Sequence, residues 1–134
     1  MITSIIAFVA FLGFNNPPTL MDLTGKFGNP ISIEQTENKE YQIFTYKRDS
    51  YNVIANCDKS GKTKSLEAYG MNASVSYRKV KLLDEFKQVI IKLGDPIGYE
   101  FNNKEIAVQY PDCVFTITKL KKTYQVVGIS VNIE

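Results

Sequence analysis

The stretch FGNPI at residues 27–31 recurs as LGDPI at residues 93–97, and each copy follows a short amphipathic segment. The apolar residues of the two segments have the i, i+3, i+7 spacing of one helix face. They are Leu20, Leu23 and Phe27, then Phe86, Val89 and Leu93. The glycine of each motif accepts a conformation that ends a helix, and the proline two residues later cannot continue one. The pattern therefore predicts two short helices that end at Phe27 and Leu93.

The two helices begin with different capping patterns. Thr19 followed by Asp22 has the spacing of a capping box, in which two side chains satisfy otherwise unbonded amides of the first turn. For the second helix, Asp84 is the predicted N-cap.

Period-two alternation of apolar and polar residues follows each helix and predicts four strands after each. The predicted strands span residues 31–35, 41–47, 51–57 and 64–69, then 97–101, 105–110, 113–118 and 124–133. The sequence SGKT at 60–63 resembles the end of a phosphate-binding loop, but the earlier glycine is missing and a strand follows. It is therefore predicted to be a hairpin turn.

The recurrence predicts an α+β fold of two tandem repeats packed side by side, each with one helix followed by a three- or four-stranded antiparallel sheet. Residues 15–71 are predicted to form the first repeat and residues 82–134 the second. A short polar connector at residues 72–81 joins them, and residues 1–14 form a separate apolar segment.

The N-terminal apolar segment has two interpretations. Residues 2–14 are uncharged, about as long as the hydrophobic region of a secretory signal, and too short to span a bilayer. As a signal, the segment predicts a secreted or periplasmic protein without a transmembrane segment. No basic residue precedes the run, however, and no clear cleavage site follows it. The alternative is that residues 5–12 pack on the domain, which would fit a cytoplasmic protein.

Composition argues against several functions. The chain has 134 residues and a net charge of only +2, so we expect one small domain without a nucleic-acid partner. It contains no histidine, the usual general base, and only two cysteines, Cys57 and Cys113. We therefore expect no enzymatic activity, no metal and no cofactor. The two cysteines either form a disulfide or are two buried strand residues.

Each copy of the repeat has a helix, then the motif (F/L)-G-(N/D)-P-I, then several antiparallel strands. This repeated pattern resembles the fold of β-lactamase inhibitor proteins. Small outer-membrane assembly lipoproteins and secreted bacterial domains share that fold. The resemblance covers residues 19–133 and implies a protein-binding sheet surface without enzymatic activity. The inhibitors carry a disulfide in each repeat, whereas Cys57 and Cys113 lie at non-equivalent positions. The lipoproteins need an acylated N-terminal cysteine, which this chain lacks. Neither a β-lactamase target nor an assembly role is therefore expected.

Tyrosines at strand positions are the predicted partner-binding residues: Tyr46, Tyr69, Tyr110 and Tyr124. Tyrosine supplies contact area and a hydrogen bond at low entropic loss. Alternation places residues such as Val53 and Leu66 on the face that the helices cover, and Tyr69 on the opposite face. Tyr46 and Tyr110 are expected to share a face, without indication of which. The alternative role for these tyrosines is half-buried packing between strands.

Lysines cluster at two predicted hairpin tips: Lys59, Lys62 and Lys64, and Lys119, Lys121 and Lys122. They are either solvated tips that discourage aggregation or a pair of basic tips for phosphates, anionic lipids or an acidic partner.

We therefore expect a non-enzymatic, secreted or periplasmic module that binds a protein through an exposed sheet face. The identity of the partner and the oligomeric state do not follow from the sequence. The alternative function is a small-ligand or envelope-surface sensor that uses a cleft between the two repeats.

Overall fold

The computed structural model describes residues 9–133, which form two short helices and ten strands. The helices are α1 (Leu20–Phe27) and α2 (Phe86–Leu93). The strands before α2 are β1 (Ser32–Gln35), β2 (Tyr41–Lys47), β3 (Tyr51–Asp58), β4 (Thr63–Gly70), β5 (Ser76–Tyr77) and β6 (Val80–Lys81). The strands after α2 are β7 (Gly98–Phe101), β8 (Glu105–Gln109), β9 (Cys113–Leu120) and β10 (Thr123–Asn132).

Both helices end where the glycine-proline motifs predict. Gly28 and Gly94 have φ angles of 83° and 79°, a region that favours glycine. Their amides donate to the carbonyls of Thr24 and Ile90. The predicted capping box of α1 is confirmed, because the Thr19 hydroxyl accepts from the Asp22 amide and the Asp22 carboxylate accepts from the Thr19 amide.

The prediction of Asp84 as the N-cap of α2 is wrong. Glu85 occupies that position, without a hydrogen bond from its side chain to the helix. The Asp84 carboxylate instead accepts from the Lys81 amide and the Lys92 ammonium, both at 2.9 Å. Burial alone would raise the pKa of Asp84, but these hydrogen bonds hold it below its ordinary value. Asp84 therefore connects the segment before α2 to the last turn of that helix.

Eight of the strands form one antiparallel sheet in the order β1-β2-β3-β4-β10-β9-β8-β7. The predicted fold class, two helix-plus-sheet repeats packed side by side, is therefore wrong. In place of two sheets, β4 and β10 pair directly, from Gly128 opposite Tyr69 to Asn132 opposite Ser65. This pairing satisfies backbone groups that two separate sheets would leave at exposed edges.

Both helices lie on the same face of this sheet, which we call the covered face. A row of buried side chains crosses this face from β2 to β8. Its members are Tyr46, Val53, Ala68, Ile129, Phe115 and Val108. Leu23 of α1 and Val89 of α2 are buried in the same core cluster. The apolar stripes of the two helices thus pack on alternate positions of the strands.

The opposite face carries no helix among the described residues, and we call it the open face. Two rows of side chains cross its centre. The first row is Lys47, Asn52, Tyr69, Gly128, Thr116 and Ala107, and the second is Thr45, Ile54, Glu67, Ser130, Val114 and Gln109. These rows are mostly polar and half-buried, in contrast to the covered face.

The connector between the two halves of the sheet is part of the core. Strands β5 and β6 form a small hairpin, and the side chains of Val75, Tyr77, Val80 and Leu82 are buried. The Lys92 ammonium of α2 also donates to the Lys79 carbonyl at 2.8 Å. The segment predicted to be a polar linker therefore contributes apolar residues to the covered face.

The described part of the N-terminal apolar segment packs on the domain. Phe11 is buried with its ring 5.5 Å from that of Tyr77, and Phe14 lies 6.0 Å from Phe27. Backbone hydrogen bonds join Phe11 and Phe14 in both directions, which forms a tight turn. The packing interpretation, made for residues 5–12, is therefore confirmed at Phe11 and Leu12, whereas residues 1–8 lie outside the described range. Within residues 9–133, no helix is long and apolar enough to cross a membrane.

Candidate functional site

The four tyrosines singled out from the sequence occupy different environments. Tyr46 and Tyr110 are buried on the covered face, whereas Tyr69 and Tyr124 are 39% and 47% exposed. Tyr69 lies on the open face. Tyr124 is opposite Lys119 of β9, and its side chain projects from the covered face. The structure thus does not bring the four residues together into one surface.

The two buried tyrosines fasten the helices to the sheet. The Tyr46 hydroxyl is 3.0 Å from the Thr24 hydroxyl of α1, and the Tyr110 hydroxyl donates to the Gly94 carbonyl at 2.8 Å. Burial raises the pKa of both tyrosines. Because their hydroxyls are used inside the molecule, these residues are structural and not available to a partner.

Tyr69 is fixed in the middle of the open face. Its ring lies beside Gly128, where an added Cβ would be 3.0 Å from Tyr69 Cδ2 and 3.0 Å from Thr116 Cβ. Its hydroxyl donates to the Glu105 carboxylate on β8, across β10 and β9. This hydrogen bond, together with burial, raises the pKa of Tyr69 to about 12. Tyr69 therefore presents a neutral, immobilised aromatic ring to solvent.

Hydrogen-bond acceptors surround the Tyr69 ring. Glu67 lies two residues before it on the same face, and burial, followed by the charge of Glu105, raises the pKa of Glu67. Among the described residues, the buried Oδ1 atom of Asn56 has no hydrogen-bond partner. Two carboxylates thus lie beside Tyr69 on the open face, whereas the Asn56 oxygen is buried. Such a surface suits a partner that supplies donors, above all Lys or Arg side chains.

A second exposed aromatic surface lies at the β7 edge, and the sequence reasoning missed it. Tyr99 stacks on Phe101 with ring centroids 6.4 Å apart, and Phe86 of α2 lies 6.2 Å from Tyr99. Phe101 is 73% exposed and Ile97 is 71% exposed. The i, i+2, i+4 spacing of Ile97, Tyr99 and Phe101 was the available signal, because it places all three side chains on one side of an edge strand.

The two lysine-rich tips lie at opposite ends of the sheet. The first tip, at the β3–β4 turn, contains Lys59, Lys62 and Lys64. It lies close to the C-terminal end of β10, because that end pairs with the start of β4. Lys119, Lys121 and Lys122 surround the β9–β10 turn, at the N-terminal end of β10. A ten-residue strand spans roughly 30 Å. The structure therefore does not bring the two tips together.

The β3–β4 turn itself is held by an aspartate. Asp58 Oδ1 accepts from the Ser60 amide, the Ser60 hydroxyl and the Lys62 amide. The hydrogen bond from the Ser60 hydroxyl is the main cause of the lowered pKa of Asp58. Ser60, Gly61 and Lys62 thus lie in the hairpin turn that the sequence predicts, whereas Thr63 already begins β4.

Cys57 and Cys113 are buried free thiols. Of the two alternatives, the structure therefore contains two buried strand residues and not a disulfide. Burial raises the pKa of both thiols, and the neighbouring Asp112 contributes to a value of about 12 for Cys113. Within residues 9–133, no group of three or more His, Cys, Asp or Glu side chains is arranged to hold a metal ion.

Two solved structures of bacterial proteins superpose on this chain. A cysteine-rich secretory protein from Staphylococcus aureus superposes with a TM-score of 0.65 at 14% identity, over 93% of this chain and 47% of that protein. An extracellular protein with an SCP domain from Bacillus anthracis gives 0.64 at 14% identity, over 98% of this chain and 48% of that protein. The chain spans about half the length of these neighbours. At this identity the likeness establishes the fold alone.

These neighbours correct the resemblance drawn from the sequence. The expected likeness to β-lactamase inhibitor proteins is wrong, because the structural likeness is to SCP-type extracellular proteins. No protein-family model matches the chain, and no curated protein matches its sequence closely enough to count as a relative.

Proposed function

We propose that the chain is a secreted, non-catalytic module that binds another protein through the open face. The observation that carries the proposal is the state of Tyr69, an aromatic ring fixed by Gly128 and Glu105 on a sheet face that no described helix covers. Rigid aromatic residues on an accessible surface are typical anchors of protein interfaces, because binding freezes few additional rotamers.

Secretion is supported by the two structural neighbours, one described as secretory and the other as extracellular. An export signal in the apolar N-terminal segment fits the fold only if cleavage falls before Phe11, because Phe11 and Phe14 pack on the domain. Cleavage after Phe11 would remove a buried ring from the core. The absence of histidine favours binding over catalysis.

The charge of the open face favours a basic partner. Glu67 and Glu105 lie beside Tyr69, and Glu100 of β7 lies in the same row as Tyr69. Burial, followed by repulsion from Glu105, raises the pKa of Glu67, and a Lys or Arg side chain that approaches Tyr69 would meet both carboxylates and offset that repulsion. Partner binding and ionisation of Glu67 are thus coupled in the proposal.

The test compares Tyr69→Ala with Tyr124→Ala as a matched control, since both residues are exposed tyrosines on opposite faces. Each variant and the wild-type protein are immobilised and used to capture proteins from the secreted and envelope fractions of the native host. The proposal expects one partner that the wild type and Tyr124→Ala retain and Tyr69→Ala loses. A partner that Tyr69→Ala retains at full yield would contradict it.

The small-ligand alternative was made for a cleft between two repeats, but the two halves of the chain form one continuous sheet. A different cavity, beside α1 and the connector, lies on the covered face. Binding there is testable with variants that leave the open face unchanged.

A further inference from the structure

A cavity of about 400 Å³ opens between the N-terminal turn, the end of α1 and the connector. Its walls come from residues 10–13, from Lys26 and Phe27 of α1, from Arg48 and Tyr51, and from residues 74–76. The volume is within the range of small-molecule sites in proteins. This cavity takes no part in the proposed protein-binding surface, because α1 and the connector lie on the covered face.

Two exposed cationic side chains, Lys26 and Arg48, line the cavity and lie near the same aromatic ring. The Lys26 ammonium is 6.0 Å and the Arg48 guanidinium carbon 5.2 Å from the centroid of Phe27. Lys26 also lies 4.9 Å from the Phe14 ring. Neither cation forms an ion pair with a carboxylate among the described residues. An anion in the cavity would therefore gain two cationic partners without breaking an existing ion pair.

Gly13 forms part of the cavity wall beside Lys26. Its φ of 83° favours glycine, and a Cβ there would lie 2.0 Å from the Lys26 ammonium, which is the mobile end of a long side chain. The N-terminal turn thus lies against one cation of the cavity, and buried Phe11 anchors the turn to the domain.

We propose that this cavity is a binding site for a small organic phosphate. A phosphate monoester carries about two negative charges at neutral pH, which matches the two cations, whereas a carboxylate would leave one of them unbalanced. The guanidinium of Arg48 suits bidentate contact with phosphate oxygens, and the ammonium of Lys26 adds a point charge. The aromatic and aliphatic walls from Phe11, Leu12 and Phe27 suit the carbon skeleton of the ligand.

The test is a titration with glycerol 3-phosphate at constant ionic strength, followed by calorimetry and by amide chemical shifts. The wild-type protein is expected to bind one equivalent, with shifts centred on residues 10–13 and 74–76. The double variant Lys26→Gln/Arg48→Gln is expected to bind about tenfold more weakly or worse, because both charge-assisted contacts are lost.

The matched control is Lys39→Gln/Lys104→Gln, which removes the same charge from exposed lysines outside the cavity. It is expected to keep the wild-type affinity. A glycerate titration distinguishes phosphate from carboxylate and is expected to give clearly weaker binding. The proposal fails if the wild type shows no saturable binding, if the control loses as much affinity as the cavity variant, or if glycerate binds as tightly. Circular dichroism of each variant verifies the fold.

Discussion

The Glu67 carboxylate lies on the open face between Ile54 of β3 and Ser130 of β10. Burial and the nearby Glu105 raise its pKa above the ordinary value of 4.5. A carboxyl group whose pKa is raised by folding destabilises the folded state at pH values above that pKa, because there the charged form is the one that must be buried.

Glu67→Gln is therefore expected to raise the free energy of unfolding at pH 7. The gain should shrink as the pH falls from the raised pKa of the folded state towards 4.5 and vanish below 4.5, where both folded and unfolded wild-type chains carry the protonated acid. Urea unfolding between pH 3 and pH 7 measures the effect, with Glu34→Gln on the exposed β1 strand as the control. A variant that is less stable than the wild type at pH 7 would show that Glu67 is satisfied in the folded state. In the proposed function, Glu67→Gln also binds its partner more weakly.

Tyr110 provides a second prediction at the scale of single residues. Tyr110→Phe removes only the hydroxyl that donates to the Gly94 carbonyl and leaves that helix-end carbonyl with one hydrogen bond fewer. We expect a loss of about 1 kcal/mol in the free energy of unfolding. Tyr124→Phe, which alters an exposed tyrosine, is expected to change stability little. Equal effects of the two substitutions would remove the argument that Tyr110 fastens α2 to the sheet.

Alternation along a strand predicts which side chains share a face, but not what covers that face. It correctly placed the Tyr69 side chain on the other face of the sheet from Val53 and Leu66, because side chains two residues apart point the same way. It did not decide whether Tyr46 and Tyr110 were exposed, since that depends on where the helices pack. Tyr99 and Phe101 were not among the predicted binding residues. The predicted tyrosines lie on strands inside the sheet, whereas Tyr99 and Phe101 lie on an edge strand.

At the scale of elements, signals carried by adjacent residues were reliable. The ends of α1 and α2 follow from Gly28 and Gly94, whose conformations are local properties. Asp84 was misassigned because its partners, Lys81 and Lys92, approach only once α2 packs against the connector. The connector itself looked polar, yet its buried Tyr77 donates to Asp112 of a distant turn. Contacts of this kind are not encoded in local periodicity.

The N-terminal turn is the element whose role is most easily tested. Phe11→Ala is expected to lower the free energy of unfolding by about 3–5 kcal/mol, because it leaves a cavity beside Tyr77. Val9→Ala, at a partly exposed position, is expected to have a small effect. Chemical unfolding of both variants provides the comparison. If Phe11→Ala were as stable as the wild type, the turn would not belong to the folded core.

At the scale of the whole molecule, the decisive feature is the pairing of β4 with β10. It converts two four-stranded halves into one sheet with one covered and one open face. The sequence predicted the strands but not this pairing, because a hydrophobic pattern sets the face of a strand and not its distant neighbour. The same pairing creates the site around Tyr69, since its hydroxyl reaches Glu105 only across β10 and β9.

The central claim is that the open face is the surface that meets a partner, and site-specific photo-crosslinking in the native host tests it most directly. A benzoylphenylalanine is placed at position 69, 99 or 124, so that an aromatic residue is retained on the open face, at the β7 edge or on the covered side. The account predicts a discrete crosslinked adduct from position 69 and none from position 124. An adduct from position 99 or 124 without one from position 69 would contradict it.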